Sequence, residues 1–396
     1  MSQQLNAARR KLILHVVHHL QIGGLENGVV NLINQLPPDR FRHVVVCIED
    51  FTDFSSRIER GDVEVVAMQR SRVGVWRLRW MLFKLFRRLR PDIVHTRNLS
   101  GLDALLPARL AGAKTLHSEH GFDVDNLSGA AFRPMLLRRL HAPLVNRYVA
   151  LSNDLCRVMC ERWRIAPTRI QQIYNGVETQ KFTPPKQLMQ PRQPMQEMPA
   201  IAVRRGLLPP DFQGEGLFIV GTVGRVQAVK DQATLLRALA VIFERYPEWR
   251  SDFRLVLVGD GPLMPDLQHL AGALGIAEQT WFAGARQDVA ALLQSFDLFV
   301  LPSLNEGISN TLLEAMSTGL PLLATAVGGN VELLTQGAVG STFTPGDHVN
   351  LASLMSQYYL TPDLRAAHGA AARTHAVQRF SLQAMVAHYQ TVYETL

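Results

Sequence analysis

Residues 306–334 read EGISNTLLEAMSTGLPLLATAVGGNVELL. Glu306 and Glu314 stand eight positions apart, around Gly307, Ser309 and Asn310. Two carboxylates beside a polar, glycine-containing turn are suited to accept hydrogen bonds from sugar or ribose hydroxyls. Leu298–Pro302 reads as a buried strand, which puts Glu306 in the turn at its carboxyl end. Asn310 is the expected N-cap of a helix, TLLEAMSTG, stopped by Gly319 and Pro321. Glu314 then lies one turn into that helix. The backbone N–H groups of Gly307–Thr311 form a helix start of the kind that binds phosphate. A capped helix with a solvated glutamate would explain either carboxylate alone; it does not explain the combination.

Such a turn needs a sheet behind it. The chain has 396 residues, 47% hydrophobic and only 19% charged, enough for two or three packed domains and too apolar for disorder. Short β-rich runs (KLILHVV, HVVVCIE, VEVVAM, DIVHT, KTLHSEH, RYVALS, QQIYNG) alternate with helical spacing near 25–36, 75–89, 101–111, 131–144 and 152–163. This alternation predicts a parallel, doubly wound α/β sheet. Five prolines crowd the stretch from 184 to 199 and Pro209–Pro210 follow, which reads as a linker and insertion over 179–216. Alternation restarts with LFIVGTVGR, RLVLVGDG, TWFAG, DLFVLPS and PLLAT. Two Rossmann-like domains facing a central cleft are therefore expected: 1–178, and 217–378, where ligands bind at the carboxyl ends of strands. Neither half has G-x-G-x-x-G after its first strand, which argues against a dinucleotide-dependent dehydrogenase.

No run of 18 apolar residues occurs, so no spanning helix is expected. The net charge of +7 is concentrated between Val65 and Pro91, which holds eight Arg/Lys and no acid. Taking those eight from 41 leaves 33 basic against 34 acidic residues elsewhere. On a helical wheel Val75, Leu78, Leu82, Leu85 and Leu89 form one core-facing stripe. Trp76, Trp80 and Phe83 project away from it beside Arg77, Lys84, Arg87 and Arg88, a pattern suited to an anionic membrane surface. A solvated basic helix is the plainer reading, and no nucleic-acid module accompanies it. Three cysteines, Cys47, Cys156 and Cys160, point to a reduced cytosolic protein; the i,i+4 pair lacks a second ligand pair for zinc and reads as packing.

The pattern E-G-x-S-N-x-x-x-E-A-M-x-x-G-x-P-x-x-A-T-x-x-G-G-x-x-E resembles the nucleotide-sugar signature of retaining glycosyltransferases of family 4, which have the GT-B fold. GGLE (23–26), EHG (119–121), YNGVE (174–178), GRVQAVKD (224–231), VGDGP (258–262) and FAG (282–284) match in order along the chain. GRVQAVKD, LPSLNEGISN, VGGN and RFSLQAM look most like the sugar transferases that accompany exosortase (PEP-CTERM) exopolysaccharide systems.

The resemblance implies roles residue by residue. Glu314 would hold the ribose hydroxyls, and Glu306 the donor sugar's hydroxyls. Gly307, Ile308, Ser309 and Asn310 would offer backbone groups to sugar and phosphate. Arg225 and Lys230 would face the donor diphosphate, where fixed cations stabilise the charge that a leaving nucleoside diphosphate gains. Gly23 and Gly24 would let backbone approach the phosphates from the first domain, and His120 would approach the donor sugar. Asn175 and Glu178 lie where the first domain ends and would only shape the hinge; the family often has Asp at the position of Glu178, so that match is imperfect. The C-terminal segment, 379–396, is expected to form a helix that returns to the first domain. Asp123-Val124-Asp125 spells the D-x-D metal motif of a different transferase fold; no catalytic metal or other cofactor is expected. The implied partners are a nucleotide-sugar donor, a glycan acceptor on a lipid carrier, and the inner face of the cytoplasmic membrane, with no nucleic acid. The rival readings are a sugar-nucleotide epimerase of the same layout and a non-catalytic membrane-associated scaffold.

Overall fold

The structure, a computed structural model, describes residues 9–121, 131–185, 205–334 and 338–396. Asp123-Val124-Asp125 and residues 186–204 of the proline-rich insertion lie outside the described residues. The chain forms two compact units, one of Met1–Gly176 with Leu382–Leu396, the other of Val177–Ser381.

The first unit carries seven parallel strands: β1 Lys11–Val17, β2 Phe41–Cys47, β3 Glu64–Ala67, β4 Ile93–Arg97, β5 Lys114–Glu119, β6 Arg147–Ala150 and β7 Ile170–Gln172. Their spatial order is β3-β2-β1-β4-β5-β6-β7. Among the described residues five α-helices connect them, α1 Gly24–Gln35, α2 Val75–Leu89, α3 Leu105–Leu110, α4 Phe132–His141 and α5 Asn153–Glu161. The central strands are buried on both faces, as parallel strands under helices must be. One face packs Leu14, Val44 and Val94 against Leu78, Leu82 and Phe86 of α2.

The second unit repeats the plan with β8 Phe218–Val223, β9 Phe253–Val258, β10 Thr280–Gly284, β11 Leu298–Leu301, β12 Leu322–Thr325 and β13 Gly340–Phe343. The order is β10-β9-β8-β11-β12-β13, again all parallel. Its helices are α6 Gln232–Arg245, α7 Met264–Ala273, α8 Val289–Leu293, α9 Asn310–Ser317, α10 Gly329–Leu334, α11 His348–Leu360 and α12 Pro362–Arg379. The last helix, α13 Leu382–Thr395, belongs to the first unit. There Leu382, Met385, Tyr389 and Tyr393 pack on Ile13, Leu32 and Leu116.

Four local readings change. Strand β13 (GSTF) has no apolar run to announce it, yet it completes the second sheet beside β12. Val75, expected in the buried stripe of α2, is 38% exposed at the helix start, and Phe86 takes a place in the core instead. Phe83, expected to project outward, is half-buried, because 83 lies beside the buried row of Leu82 and Phe86. Arg205, Leu208 and Phe212, within the segment read as linker and insertion, are buried; Arg205 donates to Gly214 O, Leu217 O and Asp297 Oδ2.

Candidate functional site

In the second sheet, β8 and β11 are neighbours although the chain visits β9 and β10 between them. At such a reversal the connections leave toward opposite faces, and a crevice opens at the strands' carboxyl ends. The loop after β8 carries Arg225 and Lys230; the loop after β11 carries Glu306–Ser309. The two loops are tied together. Leu304 N donates to Val229 O at 2.8 Å, and Lys230 Nζ meets Glu306 Oε1 at 2.5 Å. Both side chains of that ion pair are mostly enclosed, with 20% and 10% of their surface exposed. Arg225 is exposed, makes no ion pair among the described residues, and its carbonyl accepts from Gln232 Nε2 at 3.1 Å.

Glycines hold these loops from behind. Gly328 has φ +46°, and a Cβ there would lie 1.9 Å from Glu306 O. Next to it, Gly329 N donates to Gly307 O at 2.9 Å. Gly259, at φ +139°, likewise faces Gly224 O, 1.9 Å from where a Cβ would sit. Only glycine fits these two positions on both conformation and space. The motif glycines therefore fix where the loops run.

Ser309, and not Asn310, caps α9: its Oγ accepts from Leu312 N at 3.3 Å. Asn310 is the first helical residue. Either side chain can cap, and the extended backbone of Ser309 decided between them. Ile308 is buried at 6% exposure, so its backbone is what it can offer a ligand. Glu314 sits in the second turn of α9. Burial pushes its carboxyl up to about 7, with Lys181 opposing and Glu178 adding to the rise.

The first unit places its residues separately. Gly23 is the N-cap of α1 and Gly24 its first residue. Gly23 is extended at φ −170°, so its conformation does not require glycine; a Cβ there would press on the Glu26 carboxylate. His120 follows β5, and its backbone N–H donates to Asn98 Oδ1 at 2.9 Å. Its Nε2 is buried with no hydrogen-bond partner among the described residues. Burial, then the charge of Arg97, lowers its pKa to about 3, so the ring is neutral at pH 7.

Trp76 and Trp80 are 80% and 55% exposed, with Arg77, Lys84, Arg87 and Arg88 exposed beside them. Lys84 Nζ lies 3.7 Å from the Trp80 ring centroid. The structure adds an apolar row that the sequence reading missed: Phe132, Leu136 and Leu140 on α4, exposed at 68%, 39% and 65%. Their i,i+4 spacing was the available signal. Cys47 is buried with its thiol pushed up to about 12, and none of Cys47, Cys156 and Cys160 is in a disulfide among the described residues. Among the described residues no three His, Cys, Asp or Glu are grouped to hold a metal ion, and no helix is long and apolar enough to cross a membrane.

Comparison with known proteins agrees with this geometry. The family profile "Glycosyltransferase Family 4" matches residues 22–181, and "Glycosyl transferases group 1" matches 218–360. The chain is 30% identical over 301 residues to Bacillus subtilis EpsD, a glycosyltransferase by name, covering 73% of each chain. The chain belongs to glycosyltransferase family 4. Another relative of this glycosyltransferase, 28% identical over 328 residues and covering 79% of this chain and 80% of its own, is the Escherichia coli UDP-Gal:alpha-D-GlcNAc-diphosphoundecaprenol alpha-1,3-galactosyltransferase. Among solved structures, Anabaena HepE in complex with UDP superposes with a TM-score of 0.79 at 22% identity, over 98% of this chain and 100% of that one. The fold is thereby GT-B, with two Rossmann-like domains.

Proposed function

We propose that this glycosyltransferase moves a sugar from a nucleotide-sugar donor to a glycan on a lipid carrier, with retention of anomeric configuration, during exopolysaccharide or cell-surface polysaccharide synthesis. The observation that carries the donor reading is the Lys230–Glu306 pair beside the start of α9, at the carboxyl ends of β8 and β11. In this reading the C1–O bond to the diphosphate breaks as the acceptor oxygen bonds to C1 from the same side. The acceptor's proton passes to the leaving phosphate oxygen. Lys230, Arg225 and the N–H groups of Gly307–Asn310 stabilise the departing charge, while Glu314 takes the ribose hydroxyls. Glu306 positions the donor sugar; bound to Lys230, it makes a poor nucleophile. His120, kept neutral, brings no charge against the donor sugar. Because the cations belong to the protein, EDTA is expected to leave turnover unchanged.

The lipid-linked acceptor is supported by what the E. coli relative is named for, and the exosortase-associated setting by the quoted motifs. Membrane contact is supported by the exposed tryptophans and cations of α2 and the apolar row of α4. Replacing Trp76 and Trp80 with Ser should then lower co-sedimentation with anionic vesicles; unchanged sedimentation would remove that part. The decisive test of the reaction is acceptor-dependent release of nucleoside diphosphate, with the product's anomeric proton coupling read by NMR. An α-linked donor should give an α-linked product. An inverted product would refute retention, and donor conversion without acceptor would favour the epimerase.

A further inference from the structure

Arg97, the last residue of β4, is 3% exposed and makes no ion pair among the described residues. Its Nη2 donates to His15 Nδ1 and His95 Nδ1, both at 3.1 Å, and its Nη1 to His95 O at 3.3 Å. A guanidinium can only donate, so both Nδ1 atoms accept and both rings carry their proton on Nε2. The His15 Nε2–H then meets His43 Nδ1 at 3.0 Å, and that of His95 meets Ser118 Oγ. Every group bonded to the guanidinium is therefore neutral; the Glu26 carboxylate favours the charge only from a distance, and a buried cation with no bonded anion is costly until one joins it.

A hollow opens at this point, lined by Arg97, His120, Asn175, Met385, Tyr389 and Gly28. His120 Nε2 is buried there without a partner among the described residues. The enclosed part admits about one water-sized group, an oxygen and not a sugar ring.

We propose that this hollow receives an anionic oxygen of the acceptor, from a phosphate or a carboxylate, held between Arg97 and His120. The site stands on the first unit's geometry; only the assignment of the anion to the acceptor rests on the glycosyltransferase reading. Arg97 would then be a specificity-determining residue for a charged acceptor.

The probe is inorganic phosphate, titrated at pH 7 into protein labelled with 15N-histidine and read at the His120 Nε2 resonance. It is added to wild type saturated with UDP, and separately to Lys230→Ala without nucleotide. The second arm weakens the donor site and reports even if no nucleotide binds. A saturable shift is expected in both arms, with at least tenfold weaker binding in Arg97→Gln and an intermediate value in Arg97→Lys. In turnover assays phosphate should compete with the acceptor and not with the donor. The proposal is overturned by no shift in folded wild type, by equal affinity in Arg97→Gln, or by phosphate that UDP displaces. Should Arg97→Gln not fold, calorimetry on His120→Ala decides: phosphate binding weakened about fivefold or more supports the site, and unchanged affinity overturns it.

Discussion

Replacing Lys230 with Ala separates two effects that the structure lets us size. The Nζ lies 2.5 Å from Glu306 Oε1, in a pair whose partners are 20% and 10% exposed. Breaking a fully buried pair costs about 3–5 kcal/mol, and an exposed one about 0–1 kcal/mol. A pair this enclosed but still reached by solvent should cost about 1–2 kcal/mol, which lowers Tm by several degrees in a unit of this size. The effect on rate should be larger. A fixed cation facing a leaving diphosphate is worth about 10²-fold or more in kcat, or about 2.7 kcal/mol at about 1.36 kcal/mol per decade. Glu306→Gln serves as control for stability alone, because it breaks the same ion pair but keeps the cation. The assay is nucleoside diphosphate release at saturating acceptor, with melting followed on the same samples. Lys230→Ala should lose about 10²-fold in kcat, and Lys230→Arg should recover part of it. A kcat within about threefold of wild type, in a variant whose Tm has fallen as expected, would refute the leaving-group role while leaving the ion pair intact as a structural fact.

Other consequences are equally measurable. The Glu314 carboxyl is raised to about 7 by burial, so the folded state binds its proton more tightly than the unfolded chain. Stability of the second unit should therefore fall as pH rises from 4.5 toward 7, a slope that Glu314→Gln removes in denaturant melts. If ribose hydroxyls bind the ionised form, donor affinity should weaken as pH drops from 8 to 6, and the Gln variant should bind weakly without that dependence. Gly328→Ala should abolish donor binding while the first unit keeps its melting behaviour, since a Cβ would meet Glu306 O at 1.9 Å and φ is +46°. For Glu119, burial alone would raise the carboxyl, but Arg138 and then His117 pull it down to about 2. Its stabilisation is complete above 4.5 and fades as pH falls toward 2; Glu119→Gln should cost the first unit about 3–5 kcal/mol in urea unfolding.

The sheets were legible because parallel strands under helices are nearly all apolar, and KLILHVV, RLVLVGDG and DLFVLPS show this directly. GSTF was not, since a four-residue edge strand has no period to read. The second unit's loops were legible as motifs, and their geometry explains why the motifs contain what they do. The glycines of VGGN and VGDG sit where the loops after β11 and β8 leave no room for a Cβ. The choice of Ser309 over Asn310 as cap depended on one residue's backbone angles, which composition cannot supply. Arg97 was missed for a different reason. In HTRN it reads like any polar strand end, and only the fold shows that His15, His95 and Tyr393 enclose it without bringing a carboxylate. Burial of charge is a property of tertiary structure, so sequence carries no direct trace of it.

The central claim is that the carboxyl edge of the second sheet binds a nucleotide-sugar through Lys230 and Glu314. A thermal-shift screen of UDP-, GDP- and ADP-sugars against wild type, Lys230→Ala and Glu314→Ala tests it most directly. The account predicts one donor class that raises the melting temperature of wild type and leaves both variants unmoved. Equal stabilisation of all three proteins, or none in a well-folded wild type, would contradict it.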